Sequence, residues 1–264
     1  MVDKKKVPLI YKDIIFHIPH SSTFIPNDIR SDILLSDEKL LVELGLMTDW
    51  YTDELFDHAV SYLGKSIKFP VSRLVVDPER FADDEIECMS EVGMGVIYTK
   101  TSSGKPLRDP SKIISESRTQ LLDRFYYPHH DSLTGAVRSE LDEEGRVLII
   151  DCHSFPDEPL PYERCHSQDR PEICIGTDPY HTPEELISNL KSSFESLGYK
   201  VGMNSPFAGS IVPSIYYQKN KNVHSIMIEI NRNLYMEHLS TDRSQDFKRV
   251  QDNIYTAIKD SLSI

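Results

Sequence analysis

Four apolar residues, Val147, Leu148, Ile149 and Ile150, run without a polar break, and three of them are β-branched. Such a run reads as a strand buried on both faces. It gives way to Asp151, Cys152, His153 and Ser154, and Pro156 bars a longer ladder. The pattern therefore predicts a central strand over 147–151 with polar residues at its carboxyl end, where open α/β sheets place their chemistry. Similar apolar runs predict strands at 14–18 (stopped by Pro19), 66–69, 73–76, 173–175, 199–201 and 225–230. Between them the periodicity turns helical. Ser36 caps a helix over 37–46, and a second helix over 50–63 places Leu55, Phe56, Ala59 and Leu63 on one face before Gly64. Helical spacing over 111–144 (Ile114, Leu121, Leu122, Phe125, Leu133, Val137, Leu141) must be kinked or divided by Pro128. Thr182 followed by Pro183 opens a helix to about Leu197, and an amphipathic helix over 242–261 ends the pattern. The segment 77–110 is loop-rich, and a loop that long is usually functional.

No repeat, low-complexity tract or composition break marks a linker in the 264 residues. Alternating strands and helices at this length predict one domain over 1–264, an α/β fold with a central mixed β-sheet between two helical layers. A hydrophobic content of 39% and a charged content of 27% are those of an ordinary globular protein. The net charge of −13 argues against nucleic acid and anionic membranes as partners. No apolar run reaches the length of a membrane span. The basic stretch 1–6 has no long apolar segment after it, so it does not read as a signal peptide. The four cysteines (Cys88, Cys152, Cys165, Cys174) have no paired spacing, which predicts neither a zinc knuckle nor a disulfide framework and points to a reducing cytoplasm. A homo-oligomer is compatible with the sequence, which sets no oligomeric state.

Polar clusters fall where strands stop or helices start: His20 after the first strand, Asp49 before the second helix, and His153 after the central one. Two His and one carboxylate can hold zinc with an open position for water, and a further carboxylate beside that water can act as base. His20, Asp49 and His153, with Glu229 as the fourth residue, fit these roles by type. Each also has a plainer explanation: Asp49 could cap its helix, and His20 or His153 could bond to nearby backbone. Glu229 is the least ordinary, because it interrupts the apolar run Ile226, Met227, Ile228, Ile230, where an unpaired charge is costly. Arg73 and Arg80 could fork onto a carboxylate substrate, or one of them could simply pair with Asp77. His130, at the Pro128 kink, faces either a cleft or solvent. Gly209 marks a tight turn or a close backbone approach to a ligand.

Taken in order, Pro19-His20-Ser21-Ser22, Thr48-Asp49-Trp50, Ser72-Arg73 through Asp77 and Arg80, Pro128 through His130, Asp151-Cys152-His153-Ser154, Ile175-Gly176-Thr177, Phe207 with Gly209, and Glu229 resemble the N-formylglutamate amidohydrolase family. The resemblance implies a three-layer α/β/α hydrolase fold of the zinc carboxypeptidase and aspartoacylase type. It also implies a zinc ion on His20, Asp49 and His153, with Glu229 as general base. Arg73 or Arg80 would assist the oxyanion while the other holds the substrate carboxylate, with His130 and Gly209 lining the substrate. Relatives take their first two ligands from His-x-x-Glu. Here the third residue after His20 is Thr23, which leaves Asp49 as the carboxylate, with Glu54 and then Asp53 as competitors. The segment after Gly209 reads Ser210-Ile211-Val212-Pro213-Ser214 and lacks the family's Arg, which implies a divergent branch with weaker use of N-formylglutamate itself. The implied activity is cleavage of the amide of a small N-formyl or N-acyl amino acid. A carboxypeptidase-like action on short peptides and a catalytically silent binding module are the alternatives.

Overall fold

In the computed structural model, which describes residues 11–113, 115–163, 165–238 and 240–262, the apolar runs assemble into one six-stranded sheet. The basic stretch 1–6 and Ile114 lie outside the described residues. In chain order the elements are β1 (Ile14–Ile18), α1 (Asn27–Arg30), α2 (Asp37–Met47), α3 (Thr52–Leu55), α4 (Asp57–Leu63), β2 (Gly64–Lys68), α5 (Ser115–Leu121), a π-helical turn (Leu122–Tyr126), α6 (Tyr127–Glu144), β3 (Val147–Phe155), β4 (Ile173–Thr177), α7 (Glu184–Ser196), β5 (Val201–Met203), β6 (Val223–Asn231) and α8 (Phe247–Leu262). The strand order is β2-β1-β3-β6-β4-β5. β4 runs antiparallel to β6 and the remaining pairs are parallel, so the sheet is mixed as expected.

Alternation along the strands decides what each face of the sheet does. One face carries Ile14, Phe16 and Ile18 of β1, Leu148, Ile150 and Cys152 of β3, and Ile226, Ile228 and Ile230 of β6. It is sealed by Leu186, Leu190 and Phe194 of α7 and by Val250, Ile254 and Ile258 of α8. The other face is apolar only in its amino-terminal half, where Ile15, Val147, Ile149 and Val223 pack under Leu133 and Val137 of α6. Farther along the same strands, the positions on that face include His17, Asp151, His153 and Glu229. A single strand face is thus half core and half polar site.

Several elements depart from the sequence pattern for identifiable reasons. β3 does not stop at 151; it continues to Phe155 because β6 pairs with it residue for residue, from Val147 opposite Val223 to Phe155 opposite Asn231. The expected strand 73–76 is a turn, and its apolar residues instead fill two small cores beside the sheet. Those cores, built on Val75, Val76, Val96 and Phe125 in one and Leu74, Tyr98, Leu107 and Leu44 in the other, fix the long loop 77–110 in place. The expected helix 50–63 is broken at Phe56, and Tyr51 before it is left-handed at φ 61°. Ser36 does cap α2, accepting a hydrogen bond from the Lys39 N–H. Thr182 is one residue short of the α7 cap, which is Pro183; its hydroxyl bonds to Ser225 O instead. The last helix begins at Phe247 rather than 242, and β5 lies two residues beyond the expected strand. Pro128 divides the 111–144 stretch, sitting in the first turn of α6 just after the π-helical turn. Among the described residues, no helix is long and apolar enough to cross a membrane, and the four cysteines are free thiols.

The layer formed by α7 and α8 should carry a large share of the stability. Phe194 is fully buried in it. Phe194→Ala is expected to cost about 3–5 kcal/mol, read as a lowered urea midpoint with an unchanged m-value; an unshifted midpoint would contradict this packing.

Candidate functional site

The polar half of the sheet face converges with three loops. β1 ends in Pro19 and delivers His20; the turn before α3 delivers Asp49, whose N–H bonds back to His20 O at 3.0 Å. β3 delivers His153, and β6 places Glu229 directly opposite it in register. His20, Asp49 and His153 each offer one donor atom, and these atoms lie within 4.8 Å of one another. All three side chains are buried, at 2%, 3% and 4% exposure. Asp49 Oδ2 is 3.0 Å from His153 Nδ1 and 3.7 Å from His20 Nδ1. His20 Nδ1 has no hydrogen-bond partner, although it is buried.

On His20 and Asp49, the atoms turned away from this centre are held. His20 Nε2 sits 2.9 Å from Asp77 Oδ1. Asp77 also takes Arg73 Nη2 at 2.8 Å, the Tyr98 hydroxyl, and the Glu79 N–H at 3.0 Å. Arg232 donates to Leu46 O at 2.9 Å and reaches Asp49 Oδ1 at 3.4 Å. A carboxylate behind a histidine, and a guanidinium behind a carboxylate, are what orient metal ligands in known sites.

Burial would raise the pKa of Asp77, but Arg73, His20 and Arg80 outweigh it and hold the carboxyl well below its ordinary range. Burial raises Asp49 as well, and His153 and His20 overturn it in the same way. Burial would strip the proton from His153, but Glu79, Asp151 and Asp49 around it push its pKa well up. Glu229 behaves differently. Its burial pushes the carboxyl up to about 8, opposed by His153 and reinforced by Asp49 and Glu79. One Glu229 oxygen has no hydrogen-bond partner. The arrangement offers nitrogen and oxygen donors for a cation and, beside them, a carboxyl group able to exchange a proton near neutrality.

The competing carboxylates lie elsewhere. Glu54 is half exposed and ion-paired with Arg243, and Asp53 is 3.9 Å from Lys68. Asp49 does not cap its helix with its side chain, because Oδ2 is taken up with His153 and Oδ1 with Arg232. Arg73 pairs with Asp77, and its Nη1 lies 4.0 Å from Asp49; Arg80 Nε lies 3.9 Å from Asp77 with no hydrogen-bond partner. His130 sits outside the donor cluster, its Nε2 2.8 Å from Pro78 O, and burial lowers its pKa to about 4. With the Tyr126 hydroxyl on Arg80 O, it clamps the 78–80 turn from the start of α6. Gly209 has φ +91°, a left-handed conformation suited to glycine, and its carbonyl lies where a side chain on Gly176 would have to go. Two residues later, the Ile211 N–H donates to Asp151 Oδ2 at 3.1 Å.

Four functional-looking residues, His17, Glu79, His129 and Arg232, have no role in the sequence pattern, and Asp151 has one only as a member of the strand-end cluster. His17, Glu79 and Asp151 form a second group of donor atoms within 4.8 Å of one another. His17 Nε2 is 2.8 Å from His129 Nε2. The signal for His17 and Asp151 was parity: they occupy the same strand face as the site, two residues from an apolar core position. Glu79, His129 and Arg232 sit in loops or at element ends and had no such signal.

A profile of the N-formylglutamate amidohydrolase family matches residues 12–236. An N-formylglutamate deformylase of Pseudomonas putida is 24% identical over 231 residues, covering 85% of this chain and 82% of that protein. One from Pseudomonas aeruginosa is 24% identical over 235 residues, covering 88% and 83%. The crystal structure of an N-formylglutamate amidohydrolase from Ralstonia eutropha matches with a TM-score of 0.78 at 24% identity, over 97% of this chain and 95% of that one. A gene product from Agrobacterium tumefaciens matches at 0.67 with 18% identity, over 96% and 91%. The matched profile spans each of the site residues from His17 to Arg232, and on that match the chain belongs to the N-formylglutamate amidohydrolase family.

Proposed function

We propose that this chain, as one domain over 1–264, is a zinc-dependent hydrolase cleaving the amide of a small N-formyl or N-acyl amino acid. The observation that carries it is the buried triad of His20, Asp49 and His153, with an unpartnered His20 nitrogen and Glu229 in register beside His153. The names of the relatives support the same chemistry. The donor set suits zinc: two imidazoles and a carboxylate, with His20 and Asp49 oriented from behind. A zinc ion there supplies Lewis acidity, which acidifies water and polarises a carbonyl.

The chain's own residues do the rest. Glu229 takes the proton from the attacking water and passes it to the leaving amine, as a buried carboxyl with a raised pKa is suited to do. Arg73, held by Asp77 and Tyr98, points a guanidinium edge toward Asp49 and is the donor for the developing oxyanion. Arg80 is the partner for the substrate carboxylate, and His130 acts through the turn that carries it. Free thiols and an acidic surface suit a reducing compartment such as the cytoplasm.

Metal content separates the ligand assignments. Asp49→Ala is expected to lose zinc from the triad, whereas Glu54→Ala keeps it; the reverse result would reject Asp49. In the same series, Glu229→Gln should keep that zinc while kcat falls by on the order of 10²-fold or more. Near-normal turnover would remove Glu229 from the proton path.

The substrate is tested separately. Arg73 and Arg80 already face Asp77, Arg232 faces Asp49, and the stretch after Gly209 supplies none. A lost charge-assisted contact costs about 1.5–3 kcal/mol, or roughly one to two decades in kcat/KM. N-formylglutamate is therefore expected to be turned over more slowly than N-acyl amino acids with one carboxylate. Side-by-side assays check this, and a clear preference for N-formylglutamate would show that the additional arginine is dispensable.

A further inference from the structure

Behind His153 lies a second set of donors that the proposed reaction does not use. His17 Nδ1 is 2.7 Å from Asp151 Oδ1 and 3.6 Å from Glu79 Oε1. His153 Nε2 is 3.1 Å from Glu79 Oε2 and 3.2 Å from Asp151 Oδ1. We propose that His17, Glu79 and Asp151 hold a second divalent transition-metal ion, with Nε2 of His153 as a further donor.

Three observations carry this. First, the spacings are those of a coordination shell. Donors at about 2.0–2.1 Å from a tetrahedral ion stand roughly 3.3 Å apart, and the four contacts scatter around that value. Second, His153 Nε2 is buried and makes no hydrogen bond, although two carboxylate oxygens are close enough to accept one. A proton shared with either oxygen would draw the ring into line, whereas a metal needs the lone pairs to converge between them. Third, the remaining atoms of the set are fixed from outside. Asp151 Oδ2 accepts the Ile211 N–H, which leaves Oδ1 for the cluster. His17 Nε2 is engaged by His129 Nε2 at 2.8 Å, a contact in which one of the two nitrogens carries the proton. With that proton on His17 Nε2, Nδ1 keeps its lone pair and can ligate.

His153 thus presents a different ring nitrogen to each cluster: Nδ1 toward Asp49 and Nε2 toward Glu79 and Asp151. With an ion on each side, the ring gives up its remaining N–H proton to solvent and bridges as an imidazolate. The nitrogen and carboxylate donors suit zinc, manganese or ferrous iron. Glu79, with its side chain 19% exposed, is the most exposed of the four donors.

The test is a count. Chelator-stripped protein is titrated with Zn²⁺ and, separately, Mn²⁺, and bound metal is measured after equilibrium dialysis. Wild type should saturate at two equivalents per chain. Glu79→Gln should retain one and weaken the other by on the order of 100-fold, since even outer-shell changes cost 10–100-fold. His17→Asn should match it, and circular dichroism confirms that both variants fold. Asp49→Asn should show the converse loss, leaving the equivalent that Glu79→Gln removes. If the triad described above is not a site, one equivalent remains that Asp49→Asn spares and Glu79→Gln abolishes, and this inference still stands. It is overturned if Glu79→Gln leaves the count and affinity unchanged, or if wild type binds one ion that both Asp49→Asn and Glu79→Gln abolish.

Discussion

Five carboxylates, on Asp49, Asp77, Glu79, Asp151 and Glu229, are brought to one end of one sheet face, and their mutual repulsion governs the surrounding structure. A buried, unpaired carboxylate costs several kcal/mol, so each must be met by a cation, a donor or a proton. Arg73 and the Tyr98 hydroxyl meet Asp77, Arg232 meets Asp49, and the Ile211 N–H meets Asp151. Glu229 has no cationic partner within hydrogen-bonding distance, and its raised pKa is the physical result. The loop from 77 to 110 has to be rigid for this to work, because Asp77, Glu79 and Tyr98 all come from it. Its two small apolar cores supply that rigidity without any strand.

The location of the charge follows from the pleat. On β1, β3 and β6 the side chains facing α7 and α8 are apolar through much of each strand, so that layer is a continuous core. The opposite positions change from apolar to polar partway along. α6 covers the apolar part with Leu133 and Val137 and brings its first turn, with His129, to the polar part. The π-helical turn before α6 lets the same segment place Tyr126 and His130 against the 78–80 turn. Core, helix and site are therefore successive segments of one surface.

Much of this was legible from residue pattern alone. The apolar runs located β1, β3, β4 and β6, and polar residues interrupting or ending those runs singled out His20, His153 and Glu229. Ser36 marked a helix start, and Gly64 a helix end. Asp49 was identified as a carboxylate near a helix start and is brought to His20 and His153 by the fold. What could not be read had a common cause. The extension of β3 depends on β6 being there to pair with it, a contact between residues far apart in sequence. Leu74, Val75 and Val76 look like a strand because apolar side chains fill loop cores and sheet cores alike. Arg232 and His129 have ordinary local sequences, and only tertiary packing sends them to Asp49 and His17. His17 could have been recognised, since it shares a strand face with Ile15.

Cys152 lies between Asp151 and His153 in sequence, yet the pleat turns it to the opposite face, where it is fully buried among the aliphatic side chains under α7 and α8. Its thiol faces Ile150 O, and burial pushes its pKa well up. The thiol between these two donors is thereby kept protonated and away from solvent. Peroxides and alkylating agents meet no thiolate from β3 on the site's side. A sequence that looks vulnerable to oxidative stress in this stretch is, once folded, chemically quiet.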